Sequence, residues 1–447
     1  MRTTIALVTV LIVTQLAIAG GIVTNTNQSA QFIRTLSRNA STEIDATYFN
    51  PAGLTQLEDG FHIAFYNQII DQEKKVKNSF PLLNSQEYVG TVEVPLFPNF
   101  YASYKKDNWA IAFGFGPNGG GGTAEFATGL PSFEMPISLL PANVSMSGIP
   151  TTAYRATINF DGSSVYYGFQ LNAAYALNEV VSVSLGGRYI SAVNTYEGAI
   201  QNILINPIYP PAQLTGNFIP ATQFFSMIGM AEQAARVSDK AVDVKQTATG
   251  ITPIIGLNFK PTETLNVGLK YEMNTALEFT NETTKDDLGQ FPDGYTFRND
   301  IPAILTCGME YAFFPRFRGS FSFNTYFDKM ADWEGRENLV RKNLNEFSFG
   351  FEFDVAKALL ISAGYLRSST GVKDIYQTDI SHSLSSDTGG IGLRYTLANL
   401  IDIDLGALYT IYKESDRDGV QMDSGIPYVE TYNRSNIAFA VGLGVHF

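Results

Sequence analysis

"NEFSFGFEFDV", residues 345–355, sets Phe347, Phe349, Phe351 and Phe353 on one side of an extended chain and Glu346, Ser348, Gly350, Glu352 and Asp354 on the other. Side chains alternate across a strand, so the period is two and not the 3.6 of a helix. "VSVSLGGRY", "TLNVGLKYEM", "FRGSFSFNTYF", "GGIGLRYTL" and "IDIDLGALYTIY" repeat the arrangement. A soluble sandwich would turn the apolar face to a core and the polar face to water. A membrane barrel turns the apolar face to lipid and fills its lumen with the polar side chains.

Connection lengths choose between these. From the strand near residues 61–70 onward the links alternate long and short: 71–91, then "KKDN" at 105–108, a Gly-rich stretch at 117–164, "NEV" at 178–180, 195–250, and "PTE" at 261–263. The alternation continues through 279–298, "PRF" at 315–317, 330–343, a tight turn at Lys357, 371–387, "ANL" at 398–400 and 413–433. Short turns on one side and long loops on the other mark an outer-membrane barrel, here an all-β, antiparallel transmembrane barrel of about fourteen strands. An even count also returns the C-terminus to the side of the short turns.

Composition agrees. Charged residues make up 16% against roughly 25% in a common globular chain, and aromatics reach 13%. Beyond the extreme N-terminus there is no apolar run of the ~18 residues that a membrane helix needs. A net charge of −13 argues against nucleic acid, whose binding needs a basic footprint. "MRTTIALVTVLIVTQLAIAG" has a positive Arg2, an apolar core from Ile5 to Val13 and the small-x-small pattern Ala17-Ile18-Ala19, so residues 1–19 read as a secretory signal peptide. The single cysteine, Cys307, allows no intramolecular disulfide and reads as a small hydrophobe in an alternating run.

Residues 20–59 are polar, without sustained periodicity, and precede the barrel assigned to 60–447. Near their end, "TYFNPAGLTQ" (47–56) holds the residues of a type I turn: Asn50 first, where its side chain can bond the backbone, Pro51 second and Gly53 fourth. A barrel of about fourteen strands lies between narrow, filled barrels and open porins, so its lumen can hold a small plug.

The stretch "SAQFIRTLSRNASTEIDATYFNPAGLTQLEDGFHIAFYNQII", residues 29–70, resembles the N-terminal hatch and first strand of the FadL family of long-chain fatty acid and hydrocarbon transporters; Asn50, Pro51 and Ala52 match the family's Asn-Pro-Ala motif, with Gly53 after them. The resemblance implies a fourteen-stranded barrel with a hatch inside. It also implies passage of hydrophobic molecules from an outer groove past the hatch and out through a lateral opening where the third strand kinks; with no recognisable energy-coupling box and a plug far smaller than in 22-stranded energy-coupled transporters, the passage is expected to be passive. Here the third strand is "NWAIAFGFGPNGGGG", so Gly114, Gly116, Pro117, Gly119 and Gly120 are the expected kink; the alternative is that Pro117 only begins a flexible loop.

Two outer loops, 131–150 and 219–244, are apolar. The second reads as an amphipathic helix, and Phe224, Met227 and Ile228, with Leu139 and Leu140 from the first, are candidates for a hydrophobic ligand groove or for packing the loops into a lid. Period-two bookkeeping places Arg188, Lys270, Arg318 and Arg394 in the lumen, where each could hold a fatty acid carboxylate or pair with the protein's own acids. His62, His382 and His446 are far apart in sequence, with neither metal spacing nor a nucleophile elbow, so neither an enzyme, a metal nor a cofactor is expected. The terminal Phe447 resembles the signal read by the barrel assembly machinery. Outer-membrane lipids and lipopolysaccharide are the other expected partners of a monomeric Gram-negative barrel. A polar-solute porin and a structural or adhesive barrel are the rival readings.

Overall fold

The computed structural model describes residues 21–447; the expected signal peptide lies outside them. Fourteen antiparallel strands close a barrel. They are β1 (Gly60–Asn78), β2 (Glu87–Lys106), β3 (Trp109–Phe126), β4 (Tyr154–Ala176), β5 (Val181–Ile205), β6 (Lys240–Thr262), β7 (Leu265–Glu272, resumed at Glu278–Asp286), β8 (Ile304–Phe314), β9 (Phe317–Tyr326), β10 (Leu344–Ala356), β11 (Leu359–Ser369), β12 (Ser386–Leu397), β13 (Ile401–Tyr412, resumed at Ser415–Val420) and β14 (Pro427–His446). β14 pairs with β1 from His62↔His446 to Asn78↔Glu430, and Phe61 and Phe447 exchange backbone hydrogen bonds of 2.7 and 2.9 Å. Closure leaves no unpaired sheet edge at the seam between first and last strand.

The alternation seen in sequence is an alternation of environment. On β10, Phe347, Phe349, Phe351 and Phe353 are exposed on the outer face, while Glu346, Ser348 and Glu352 are buried in the lumen. Phe65, Leu171, Ile255, Ile391 and Val441 continue the outer apolar band around the barrel. At the short-turn end Phe61, Tyr104 and Trp109 meet in sequence, tilted and then edge-on, with ring centroids 4.6 and 5.5 Å apart, an aromatic girdle of the kind found at a membrane interface. Cys307 shares the outer face with Leu269, its register partner on β7.

Several strands run far beyond the ranges expected from alternation: β5 has 25 residues and β4 and β6 have 23 each. Crossing a bilayer takes only about 9–11 residues of a tilted strand. The projecting parts, such as "DQEKKVK" at 71–77, face water outside and carry charge on both faces, so the hydrophobic period vanishes while the ladder continues.

Outer loops fold over this end. The helix expected across 219–244 is two short ones, Ala221–Met227 and Ala231–Arg236, because Gly229 between them adopts φ +75°. In the loop between β9 and β10, Asp328 is fully buried; its Oδ2 accepts from Leu344 N at 2.8 Å and Oδ1 finds no partner. Burial raises its carboxyl from 3.8 to about 7. The folded protein therefore holds this proton better than the unfolded chain, and stability from the group is full below pH 4 and lost as pH rises through 7, by up to about 4 kcal/mol. Asp328→Asn, which mimics the protonated acid, is expected to match the wild type in thermal unfolding in detergent at pH 4 and to exceed it at pH 8.

Candidate functional site

Residues 21–56 fill the lumen, and nearly all are buried. Helix Ala30–Thr35 starts at Ser29, whose hydroxyl accepts from Phe32 N at 3.0 Å and donates to Asp45, and it ends at Leu36 with φ +56°. A further helical turn, Ala46–Phe49, leads into "NPAGLTQ". Asn50, Pro51, Ala52 and Gly53 form more than an isolated turn: Gly53 N donates to Asn50 O at 2.8 Å, and Pro51 opens a 3-10 helix, Pro51–Gln56. The Asn50 side chain does not bond its own turn. Its amide donates to Ser41 O at 3.0 Å and to Asn258 Oδ1 on β6 at 2.7 Å, tying the segment to itself and to the wall. At Gly53 a Cβ would strike Ser41 O and Asn50 Nδ2, so the close approach, not a special φ, requires glycine.

An ionic network fixes one side of the segment. Arg34 lies between Glu352 on β10 and Asp404 on β13, its Nε 3.0 Å from Asp404. Arg38 grips Asp45 through two nitrogens at 2.8 and 2.9 Å and Glu43 at 2.8 Å. Glu43 in turn receives both terminal nitrogens of Arg394 on β12, at 2.8 and 2.9 Å, while Arg394 Nε reaches Asp404 at 3.0 Å. Arg318 on β9 closes the chain on Glu352 at 2.6 Å. Within hydrogen-bonding distance four guanidinium groups thus meet four carboxylates, with the part-exposed Asp354 and Asp402 standing 3.8 Å from Arg318 and Arg394. Paired and bidentate contacts of this kind offset the large cost of burying charge.

Wall glycines make room for the backbone beside this network. A Cβ at Gly364 on β11 would collide with the Thr35 carbonyl, one at Gly390 on β12 would stand 2.5 Å from Ile33 O, and one at Gly308 on β8 would stand 2.5 Å from Asn39 C. The segment therefore lies flat on the wall.

Of the four lumen cations singled out from sequence, Arg188 and Lys270 are buried while Arg394 and Arg318 keep 11% and 29% of their side chains exposed, and all are committed to carboxylates of the protein. Arg188 binds Glu272 at 2.8 and 3.0 Å and Gln170 at 2.6 and 2.8 Å; Lys270 binds Glu272 at 2.6 Å and the Tyr48 carbonyl at 2.7 Å. Both stand over the Tyr48 ring, 4.8 and 4.5 Å from its centroid. Arg318 and Arg394 belong to the network above. Arg34, Arg38, Glu43 and Asp45 were not singled out, although "IRTLSRNASTEID" displays them as the charges a polar plug would match to charged walls.

On β3 the expected kink residues behave differently from their flanks. Up to Phe115 alternate residues are buried, but Gly116, Pro117, Asn118, Gly119 and Gly120 are all buried, so both faces of the strand are covered there; Gly114 lies on the lumen face and approaches Thr47 and Tyr101. Pairing with β4 persists through bulges at 117/119 and 120/122. Pairing with β2 does not: Thr91 and Val92 face Glu125 and Ala124, and the next pair is Phe100↔Phe115. The freed β3 carbonyls turn to the N-terminal segment. Asn118 O accepts from Asn25 N at 2.8 Å, Pro117 O accepts from Gln28 Nε2 at 2.8 Å, and Gly120 O accepts from the Asn25 amide. Pro117 is thus inside a strand and does not begin a flexible loop.

The candidate groove residues are divided among loop contacts. Phe224 is fully buried with Ile137, Val144, Ile205 and Phe225, Ile228 and Leu140 pack on that cluster, and Leu139 joins another with Val76 and Tyr88; Met227 is exposed. They mostly pack the loops together. Glu134 holds this cover down, accepting from the hydroxyls of Tyr88 and Tyr154 at 2.5 and 2.6 Å. A small apolar cleft, open to solvent, lies nearby between Phe133, Phe160, Ile200, Val242 and Phe291, with Lys240 also in its lining. Barrel closure also brings together two histidines far apart in sequence: His62 and His446 stack with centroids 6.0 Å apart. Among the described residues no group of three or more His, Cys, Asp or Glu side chains could hold a metal ion.

A closed fourteen-stranded barrel with a lipid-facing apolar band and a lumen filled by its own N-terminal segment is a transmembrane β-barrel of the outer-membrane class. Its fold is that of the FadL channels. A Pseudomonas aeruginosa FadL homologue aligns over 96% of this chain and 100% of its own, with a TM-score of 0.67 at 13% identity. The Pseudomonas putida toluene transporter TodX aligns over 96% and 100% at 0.58 and 13%, and the Ralstonia pickettii toluene transporter TbuX over 91% and 94% at 0.53 and 14%. No family model and no curated protein matches the sequence.

Proposed function

We propose that the chain is a passive Gram-negative outer-membrane channel of the FadL family for hydrophobic molecules, long-chain fatty acids or hydrocarbons. In this reading the apolar outer cleft and exposed Met227 capture the molecule, residues 20–59 act as the hatch it passes, and it leaves through the wall at β3. The observation that carries the reading is the loss of β2–β3 pairing beside a filled lumen. A lumen filled by protein gives a polar solute no continuous water path, whereas a lapse in the wall leads sideways to lipid. The toluene transporters among the structural neighbours support the same substrate class.

Deleting residues 25–55 is expected to change uptake of radiolabelled oleate or hexadecane by a host lacking its own such channel, with the barrel still assembled as judged by heat-modifiable migration on gels. Unchanged uptake would remove the hatch role. Steady porin-like conductance of the intact protein in planar bilayers would favour a polar-solute porin instead, and adhesion lost on trimming the loops with uptake intact would favour the adhesive barrel.

A further inference from the structure

Closing the barrel sets two of the chain's three histidines opposite each other. Phe61 and Phe447 exchange both backbone hydrogen bonds, so the next pair along, His62↔His446, is a non-hydrogen-bonded one. In such a pair the facing side chains stand closest, with Cα atoms about 4.5 Å apart. Both histidines lie on the lumen face at the short-turn end, the face that carries Ala64 and Tyr66 on β1 and Ala438 and Ala440 on β14. His62 is buried, and His446 stays partly open at the mouth of the barrel. The two rings lie within 18° of parallel, their centroids 6.0 Å apart.

His62 is held in one orientation. Its Nε2 lies 2.9 Å from the Glu58 carbonyl, which can only accept, so Nε2 carries the proton and in the neutral ring Nδ1 keeps its lone pair. A backbone carbonyl on one ring nitrogen is the usual way in which a metal-binding histidine is oriented. Among the described residues the His446 ring makes no hydrogen bond. Lys105, whose charge reaches His62 from β2, is paired with Asp59 at 2.5 Å. The spacing fits one ion between the rings. With a metal–nitrogen bond of about 2.0 Å and about 1.1 Å from nitrogen to ring centroid, two imidazoles on one ion have centroids roughly 5 Å apart at a tetrahedral angle and a little over 6 Å apart when opposed. The observed separation of 6.0 Å falls within that span.

We propose that His62 and His446 form a binding site for one divalent transition-metal ion at the periplasmic mouth, which clamps the first strand of the barrel to the last. Two neutral imidazoles, with water completing the coordination, suit a borderline ion such as Zn²⁺, Ni²⁺ or Cu²⁺, whereas the hard ions Mg²⁺ and Ca²⁺ take oxygen ligands. The two histidines stand near opposite ends of the chain and reach one ion together only when β14 has paired with β1. The ion therefore binds the closed barrel in preference to the unfolded chain, and stabilises it by mass action. The site stands apart from the hatch and from β3, and does not depend on what the channel carries.

Untagged protein in detergent, first stripped of metal with EDTA, tests this with Zn²⁺ as the probe. Isothermal titration should show one ion per chain. His62→Asn and His446→Asn should each weaken binding by at least about tenfold, while His382→Asn, in an outer loop, leaves it unchanged. Saturating Zn²⁺ should also raise the thermal unfolding midpoint of the wild type by a few degrees and leave that of either site variant unmoved; Mg²⁺ should move none of them. Every midpoint is compared with and without the ion on the same protein, so a variant that is merely less stable still reads correctly, and assembly is checked by heat-modifiable migration. Zn²⁺ binding that survives replacement of both histidines places the ion elsewhere, and the proposal falls. Loss in only one of the two variants makes the site a single ligand and removes the clamp. Binding by the wild type weaker than about 1 mM overturns the proposal outright.

Discussion

Arg34→Ala is expected to destabilise the assembled barrel by about 3–5 kcal/mol, the cost of breaking a buried ionic network by removing one partner. Arg34 has no exposed surface and is shared by Glu352 and Asp404, which are nearly as buried. With it gone, three guanidinium groups, Arg38, Arg318 and Arg394, face four carboxylates, and an uncompensated negative charge remains in the packed lumen. Equilibrium unfolding in urea with the protein in lipid vesicles reads the loss directly. Adding Glu352→Gln to Arg34→Ala should recover part of it by restoring the balance of three and three. A loss under about 1 kcal/mol, the size of an exposed pair, would mean that water reaches this network in the folded protein. Deleting the whole hatch should be milder than this one substitution, because the wall charges would then stand in a water-filled lumen.

Gly364→Leu is expected to unseat the hatch and open the barrel to ions. A side chain there meets the Thr35 carbonyl, which is backbone and cannot rotate away, and the same hatch turn is pressed between Gly350 and Gly390. Overpacking in so confined a place costs on the order of 1–3 kcal/mol and is relieved only by moving the hatch off the wall. Planar-bilayer recordings should show the variant conducting steadily where the wild type conducts little. Gly389→Leu is the matched control: it lies on the outer face of β12, with nothing within 4 Å of a Cβ. Equal conductance in Gly364→Leu and the wild type would mean that the hatch does not close the lumen.

Of the site, the sequence displayed the parts and withheld the pairings. Phe347 to Phe353 announced a strand with a lipid face, and the alternating turn lengths announced the barrel. "NPAG" announced a stiff element, yet its asparagine is spent on Asn258, far away on β6, and not on its own turn. Arg188, Lys270, Arg318 and Arg394 were placed in the lumen by counting in twos; that each serves Glu272, Glu352 or Glu43 depends on which strands stand opposite. The helix expected at 219–244 failed for a local reason, a glycine at positive φ. Pro95 and Pro98 stood in plain view, but that they fall where β2 loses its pairing with β3 needed the register of the neighbouring strand.

What the sequence determined by itself is whatever has a period or a local rule: strand faces, short turns, the apolar band, the polar plug. Those properties depend on residues a few positions apart, whose relation the backbone geometry sets. Tertiary structure alone decided the register, and with it the seat of glycines around Thr35, the balance of charges at Arg34, and the seam where β3 leaves β2. These join residues tens to hundreds of positions apart, and their energies come from burial and direct contact, which exist only once the barrel has closed.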